Sequence, residues 1–291
     1  MNRRDIAKLL NRLDELELFL NDKVASTKSG NPYHGEDGKF ITGPSGRGEA
    51  SEGNKNNKPT FSDDMKELFD EMNSETGGEY GKEFNSVMKE FGNLGVDISK
   101  IKFETNASKL PKKMKEGLDG GTLGCVAARK NLETVLYLNE EGQMNYGLGG
   151  DTKYREGKEN KDQPFHTNDS PMGTIRHELG HIASYTLYMN SNRRKATKGD
   201  LKAGVVFMDI NSRFKKIFGN NYSLDKLKLS QYGKTTHGEA VAEAFSNPNF
   251  SEDTRKIYDY YKKELAKKIT KNEADSDEEW IVLCTGYKTS E

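Results

Sequence analysis

The stretch Ser170-Pro171-Met172-Gly173-Thr174-Ile175-Arg176-His177-Glu178-Leu179-Gly180-His181 joins a helix start to two histidines four residues apart. Serine is a favoured N-cap and proline fits the first helical position, so Ser170-Pro171 predicts a helix running through His181 to about Tyr188. On a helix, residues i and i+4 lie one above the other, so the His177 and His181 imidazoles can reach one metal ion. Glu178 is one step round the helix, near enough to touch a water on that ion without being a ligand. Zinc lowers the pKa of such a water towards about 7, and a carboxylate so placed takes its proton as it attacks a carbonyl.

A catalytic zinc needs a third protein ligand and an open fourth position. His166 lies too close in sequence to the helix to reach back easily, and Ile182-Ala183-Ser184-Tyr185 brings no further histidine. A carboxylate on a later helix is the alternative. Thr235 or Thr236 can cap a helix reading His237-Gly238-Glu239-Ala240-Val241-Ala242-Glu243-Ala244-Phe245. Glu239 and Glu243 share a face of it, and two stacked acids repel unless a cation sits there. Their Ala, Val and Phe neighbours read as buried, and Ala240, Ala242 and Ala244 permit close helix packing. His237, at the helix start, reads as a rim residue, with a ligand role as the alternative.

Upstream, Ser62 can cap a helix bearing Met65, Leu68, Phe69 and Met72. After Gly77-Gly78 a second amphipathic helix carries Phe84, Val87, Met88 and Phe91. Ile98 to Thr105 alternates as a strand, with Ile101 and Phe103 one way and Lys100, Lys102 and Glu104 the other. Pro111 opens a short basic helix. Leu123 to Ala128 and Glu133 to Asn139 read as two strands joined by a turn. Asn145 to Asn168 is a long polar loop. Ser251 to Lys268 is a closing helix with Ile257, Tyr261 and Leu265 on one stripe, and Trp280-Ile281-Val282-Leu283-Cys284 is a last strand or docking tail.

The N-terminal region differs. Ile6, Leu9, Leu13, Leu16 and Leu20 form an a/d seam over residues 5–22, suited to self-association or to docking on a partner. Residues 25–60 are rich in Gly, Ser, Asn and charge and read as a flexible linker. The expected organisation is a heptad-like helix over 1–24, a linker over 25–60 and a catalytic domain over 61–291, its core about 123–268.

Composition narrows the function. Among 291 residues, 45 Lys+Arg stand against 46 Asp+Glu, a net charge of −1 that argues against nucleic-acid binding. Hydrophobic residues make up 33% and charged residues 31%, below the apolar content of an average domain, so part of the chain is expected outside any core. No apolar run approaches the roughly 20 residues of a membrane span, and the N-terminus lacks the apolar core of a secretory signal. Cys125 and Cys284 cannot make a disulfide framework, and nothing near them suggests a CxxC site.

The HExxH motif, Ser230-Gln231-Tyr232-Gly233, and Glu239-Ala240-Val241-Ala242-Glu243-Ala244-Phe245 together resemble the catalytic domain of anthrax lethal factor and its relatives, including the Pro-Pro endopeptidases, over about residues 123–265. Tyr232 precedes Glu239 by seven residues, as in that pattern. The resemblance implies an α+β zincin-like fold: a small mixed sheet, the HExxH helix and a glutamate helix. It implies Zn²⁺ on His177, His181 and Glu239, Glu178 as general base, Tyr232 as hydroxyl donor to the oxyanion, and Glu243 as the acid that orients a ligand histidine. The implied activity is endopeptidase, with an extended protein or peptide substrate expected beside Val135 to Leu138.

Asn31-Pro32-Tyr33-His34-Gly35-Glu36-Asp37-Gly38-Lys39-Phe40-Ile41-Thr42 resembles a short signature of minor structural proteins of tailed bacteriophages. It implies phage structural proteins as partners and a virion or host-cytoplasm location. Two other readings compete: a non-catalytic virion protein with a zincin-like fold, and an effector protease acting on a host protein.

Overall fold

The computed structural model describes residues 58–118, 122–140, 143, 166–168, 170–196, 203–267 and 280–284. The expected heptad helix, the phage-like signature and most of the 145–168 loop lie outside the described residues. The fold is α+β, with seven helices and one five-stranded mixed sheet among them.

The strands are β1 (Thr60–Phe61), β2 (Ile101–Glu104), β3 (Gly124–Ala128), β4 (Thr134–Leu138) and β5 (Ile281–Val282), in the order β1-β2-β4-β3-β5. β2 runs parallel to β1 and β4, while β3 is antiparallel to both β4 and β5. Thr60, expected at the end of the linker, is already in register with Lys102. β4 is paired along both edges, Ile101–Glu104 on one side and Gly124–Ala128 on the other. The expectation that a substrate strand adds beside Val135–Leu138 is therefore corrected: those backbone groups are already used.

The strands' period of two sorts their side chains between two cores. Phe103, Val126, Ala128, Leu136, Leu138, Ile281 and Leu283 face the main helical core, whereas Cys125, Ala127, Tyr137, Val282 and Cys284 face a smaller one capped by Leu110 and Met114. Alternation puts Glu104 on the strand face opposite Ile101 and Phe103, which leaves open whether it meets solvent. It is fully buried, and its carboxylate accepts the Thr105 and Asn106 amides and the Lys102 ammonium. A buried carboxylate needs such partners, and here they close the chain's turn out of β2. The two cysteines, left unassigned by their sequence setting, form a disulfide between β3 and the segment after β5.

The helices are α1 (Asp63–Glu75), α2 (Glu79–Asn93), α3 (Lys112–Lys115), α4 (Pro171–Ala196), α5 (Ala203–Phe218), α6 (His237–Ser246) and α7 (Glu252–Leu265). Ser62, Thr236 and Ser251 cap α1, α6 and α7 through their hydroxyls, and the Ser170 hydroxyl accepts the Gly173 amide at the start of α4. α4 continues well beyond Tyr188 to Ala196. α5, which the sequence reading left unassigned, buries Val206, Ile210 and Phe214. No helix among the described residues is long and apolar enough to cross a membrane.

α4 and α6 form the closest helix pair. A β-carbon added at Gly180 would lie 2.9 Å from the Ala242 Cα and 3.0 Å from the Phe245 Cβ, so the two backbones meet where glycine faces alanine. Gly180→Val is expected to wedge them apart and cost about 2–3 kcal/mol of stability. Urea unfolding checks this, and a loss below about 0.5 kcal/mol would mean the helices yield without penalty.

Candidate metal centre

The α4–α6 contact faces the histidine pair towards the glutamate pair. His177 and His181 come from α4, Glu239 and Glu243 from α6, and all four side chains are buried. One ligand atom each from His177, His181 and Glu239 falls within 4.8 Å of the others. The His177 Nε2 is 3.0 Å and the His181 Nε2 3.3 Å from the Glu239 Oε2. The His181 contact is not aligned as a hydrogen bond, and that buried nitrogen has no hydrogen-bond partner. A buried nitrogen beside a second imidazole and a carboxylate offers the kinds of donor that metal sites use. The three residues could hold a metal ion, and they fit zinc by ligand type.

Glu243 sits behind this group and is satisfied on both oxygens. Its Oε1 accepts from the His177 Nδ1 at 3.0 Å and the His166 Nδ1 at 3.1 Å. Its Oε2 accepts the Thr167 amide at 2.6 Å and the Ser230 hydroxyl at 2.8 Å. Four donors on one carboxylate fix the ring of His177 with Nε2 turned to the ligand position, the arrangement by which outer partners aim a metal-bound histidine.

His166 is thus a correction. Read from sequence as too close to the helix to reach back easily, it does reach the site, bonding Glu243 and packing edge-on against the Tyr232 ring, centroids 4.9 Å apart. Ser230 and Thr167 were likewise not assigned a role. Ser230 stands in the quoted Ser-Gln-Tyr-Gly run, but nothing local distinguishes its hydroxyl from that of any loop serine. His237 is not among the gathered ligands. Its Nε2 lies 2.6 Å from the Tyr222 hydroxyl, which donates in turn to Asn211, and its ring packs edge-on against Phe214. Burial holds its pKa below the ordinary range, so it serves as a neutral packing and hydrogen-bonding group at the start of α6.

The remaining two residues flank the ligand position. Glu178 is buried against the start of β3, where a β-carbon at Gly124 would come within 2.7 Å of its Oε1. Its Oε2 has no hydrogen-bond partner. Burial raises its pKa, and the His177 and His181 rings offset only part of that. Tyr232, in the single turn Tyr232–Lys234, stacks on His177 with ring centroids 5.5 Å apart. Burial, with the carboxylates of Glu239, Glu178 and Glu243, pushes its phenol far above its usual value, so it stays protonated and keeps a proton to donate.

The charges balance within the cluster. Burial opposes ionisation of Glu239, but the His181 and His177 rings outweigh it and hold that carboxyl well below 4.5. Burial opposes ionisation of Glu243 too, and hydrogen bonds from His166 and His177 outweigh it. Burial disfavours a His177 imidazolium, yet bonds to Glu239 and Glu243 lift its pKa well above 6.5.

No protein-family model matches the chain, and neither the curated proteins nor the solved structures contain a match to it.

Two predictions follow from the site's charges and bonds. In chelator-treated protein, Glu239 and Glu243 stabilise the fold fully above about 4.5, and this is lost as pH falls through their lower folded values. His177 contributes fully below about 6.5, and this is lost as pH rises through its raised folded value. The Tm of the metal-free protein should therefore fall in acid and again in base. Zinc bound on His177 would have to displace its proton, so a rise in Tm on adding zinc should grow with pH across neutrality. Second, Glu243→Gln places an amide among four donors and should raise the zinc Kd about 10–100-fold, measured by competition with a chromophoric chelator.

Proposed function

We propose that the chain is a zinc-dependent endopeptidase with a zincin-like catalytic domain. The observation that carries this reading is the pairing of a three-residue group with a buried, partly unsatisfied carboxylate, Glu178, on the helix that carries two of the three. A purely structural metal site needs no such carboxylate, because all its positions are taken by ligands.

His177, His181 and Glu239 would hold the ion, leaving a position open to water and substrate. Zinc bound there would supply Lewis acidity, polarising the scissile carbonyl and lowering the pKa of a water. The chain's own groups do the rest. Glu178, its pKa raised by burial, accepts the proton of the attacking water at its carboxylate and passes it to the leaving amine. Tyr232, held protonated, donates its hydroxyl to the oxyanion that forms on the former carbonyl oxygen. Glu243, fixed by His166, Thr167 and Ser230, keeps His177 oriented through both steps. The heptad seam over 5–22 and the signature over 31–42 support a virion- or head-associated setting in which this domain is tethered to phage structural proteins.

Purified wild-type protein should contain one equivalent of zinc and cleave members of a random peptide library. Metal analysis finding none would remove the reading. Glu178→Gln should keep its zinc and lose about 10²–10⁴-fold in kcat/KM, whereas Tyr232→Phe should lose about 10²–10³-fold, mainly in kcat. Wild-type rates in Glu178→Gln would exclude Glu178 as the base.

A further inference from the structure

β3 is the strand that meets the metal centre. Its first residue, Gly124, leaves no room for a side chain beside the Glu178 carboxylate. One edge of β3 is taken by β4. The other is where an extended peptide would add to reach Glu178, main chain to main chain. Part of that edge is filled by the chain's own C-terminal segment. Ile281 pairs with Ala128, Val282 with Ala127, and the Leu283 amide donates to the Val126 carbonyl at 2.9 Å. The pairing is antiparallel, so the segment runs along β3 towards Gly124 and Glu178.

The ladder is short, two residues of regular strand, which by itself is a weak attachment. Three side-chain features add to it. Ile281 and Leu283 enter the main core, and the Arg129 guanidinium lies 4.4 Å from the Trp280 ring centroid. The Cys125–Cys284 disulfide then fastens the segment one residue from Gly124. Without the bond the segment is held only by this short ladder, its core contacts and the stretch of chain that follows α7.

The geometry points to Trp280–Cys284 being a built-in competitor for the peptide-binding edge of β3, fastened by the Cys125–Cys284 bond and released by its reduction. The inference rests on the peptidase reading in that the displaced peptide is the one to be cleaved. A dithiol carries out the release: it gives two electrons and two protons to the disulfide and becomes a disulfide itself, while Cys125 and Cys284 each regain a thiol. A fastened strand acts at a high effective concentration, on the order of millimolar for short tethers, and so excludes micromolar peptide. The apolar run Ile281-Val282-Leu283, β-branched at its first two positions, also marks the substrate class: an extended apolar segment placing alternate side chains on the two faces of the sheet edge.

The test uses the full-length, zinc-loaded Glu178→Gln protein, which binds without cleaving, and a random-sequence peptide library read by mass spectrometry. Oxidised protein should retain little peptide and protect residues 124–128 and 280–284 from hydrogen exchange. Reduction should raise peptide retention about tenfold and speed exchange in both segments together. Cys125→Ser with Cys284→Ser in the same background should do the same without any reductant, and retained peptides should be enriched in Ile, Val and Leu. Equal retention with and without the disulfide, no retention in either form, or unchanged exchange would overturn the proposal. Redox-gated retention without cleavage by the reduced, Glu178-intact protein would remove the peptidase reading and leave the strap standing. Cleavage at one rate in both forms would remove the strap and leave the peptidase.

Discussion

Two glutamates one helical turn apart, both buried, are the constraint around which this domain is organised. Glu239 and Glu243 would repel each other on an isolated helix. In the fold, His177 lies between them, its Nε2 on Glu239 and its Nδ1 on Glu243, both at 3.0 Å. That contact is possible only because α4 and α6 approach at Gly180 and Ala242 without intervening side chains. The loop residues His166 and Thr167 and the turn beginning at Ser230 are then drawn in, because a buried carboxylate that lacks donors is costly. Small residues at one helix crossing and polar residues at several distant positions thus answer one electrostatic problem.

The sheet supplies the second half of the arrangement. β3 and β4 alternate their side chains between two cores, so both faces of the sheet are covered and only edges are open to recognition. β4 is internal, β1 and β2 lie on its far side, and β3 borders Glu178. Under the proposed function, recognition of an extended chain and the Glu178 carboxylate would meet at the first residue of β3. The C-terminal segment, pinned by the disulfide, occupies the adjoining edge, which makes covalent state and access to the centre parts of one question.

Much of the local structure was legible from residue patterns. Ser62, Ser170 and the pair Thr235-Thr236 announce helix starts because a hydroxyl that satisfies an orphan amide is needed there; which threonine caps, and that Ser251 also does, is decided in the fold. The turn between β3 and β4 followed from alternating runs broken by polar residues. Glu104 is buried although it alternates with Ile101 and Phe103, because alternation assigns a face but not whether that face is covered; its strand partner is Tyr137, which lies in the smaller core. Ala203–Phe218 carries an apolar stripe, Val206, Ile210 and Phe214, that is buried in the fold. His166 carried no periodic or capping signal at all, since its role depends on Glu243, 77 positions away.

The sequence by itself determined what depends on near neighbours along the chain. His177 and His181 share a face because a helix returns every 3.6 residues, and Glu239 and Glu243 do so for the same reason. Only the tertiary structure decided that these two faces meet, that His166, Thr167 and Ser230 close on Glu243, that β4 is buried within the sheet, and that Cys125 finds Cys284. These are contacts between residues far apart in sequence, set by how helices and strands pack around a shared core, and a local pattern holds no record of which distant surface it will face.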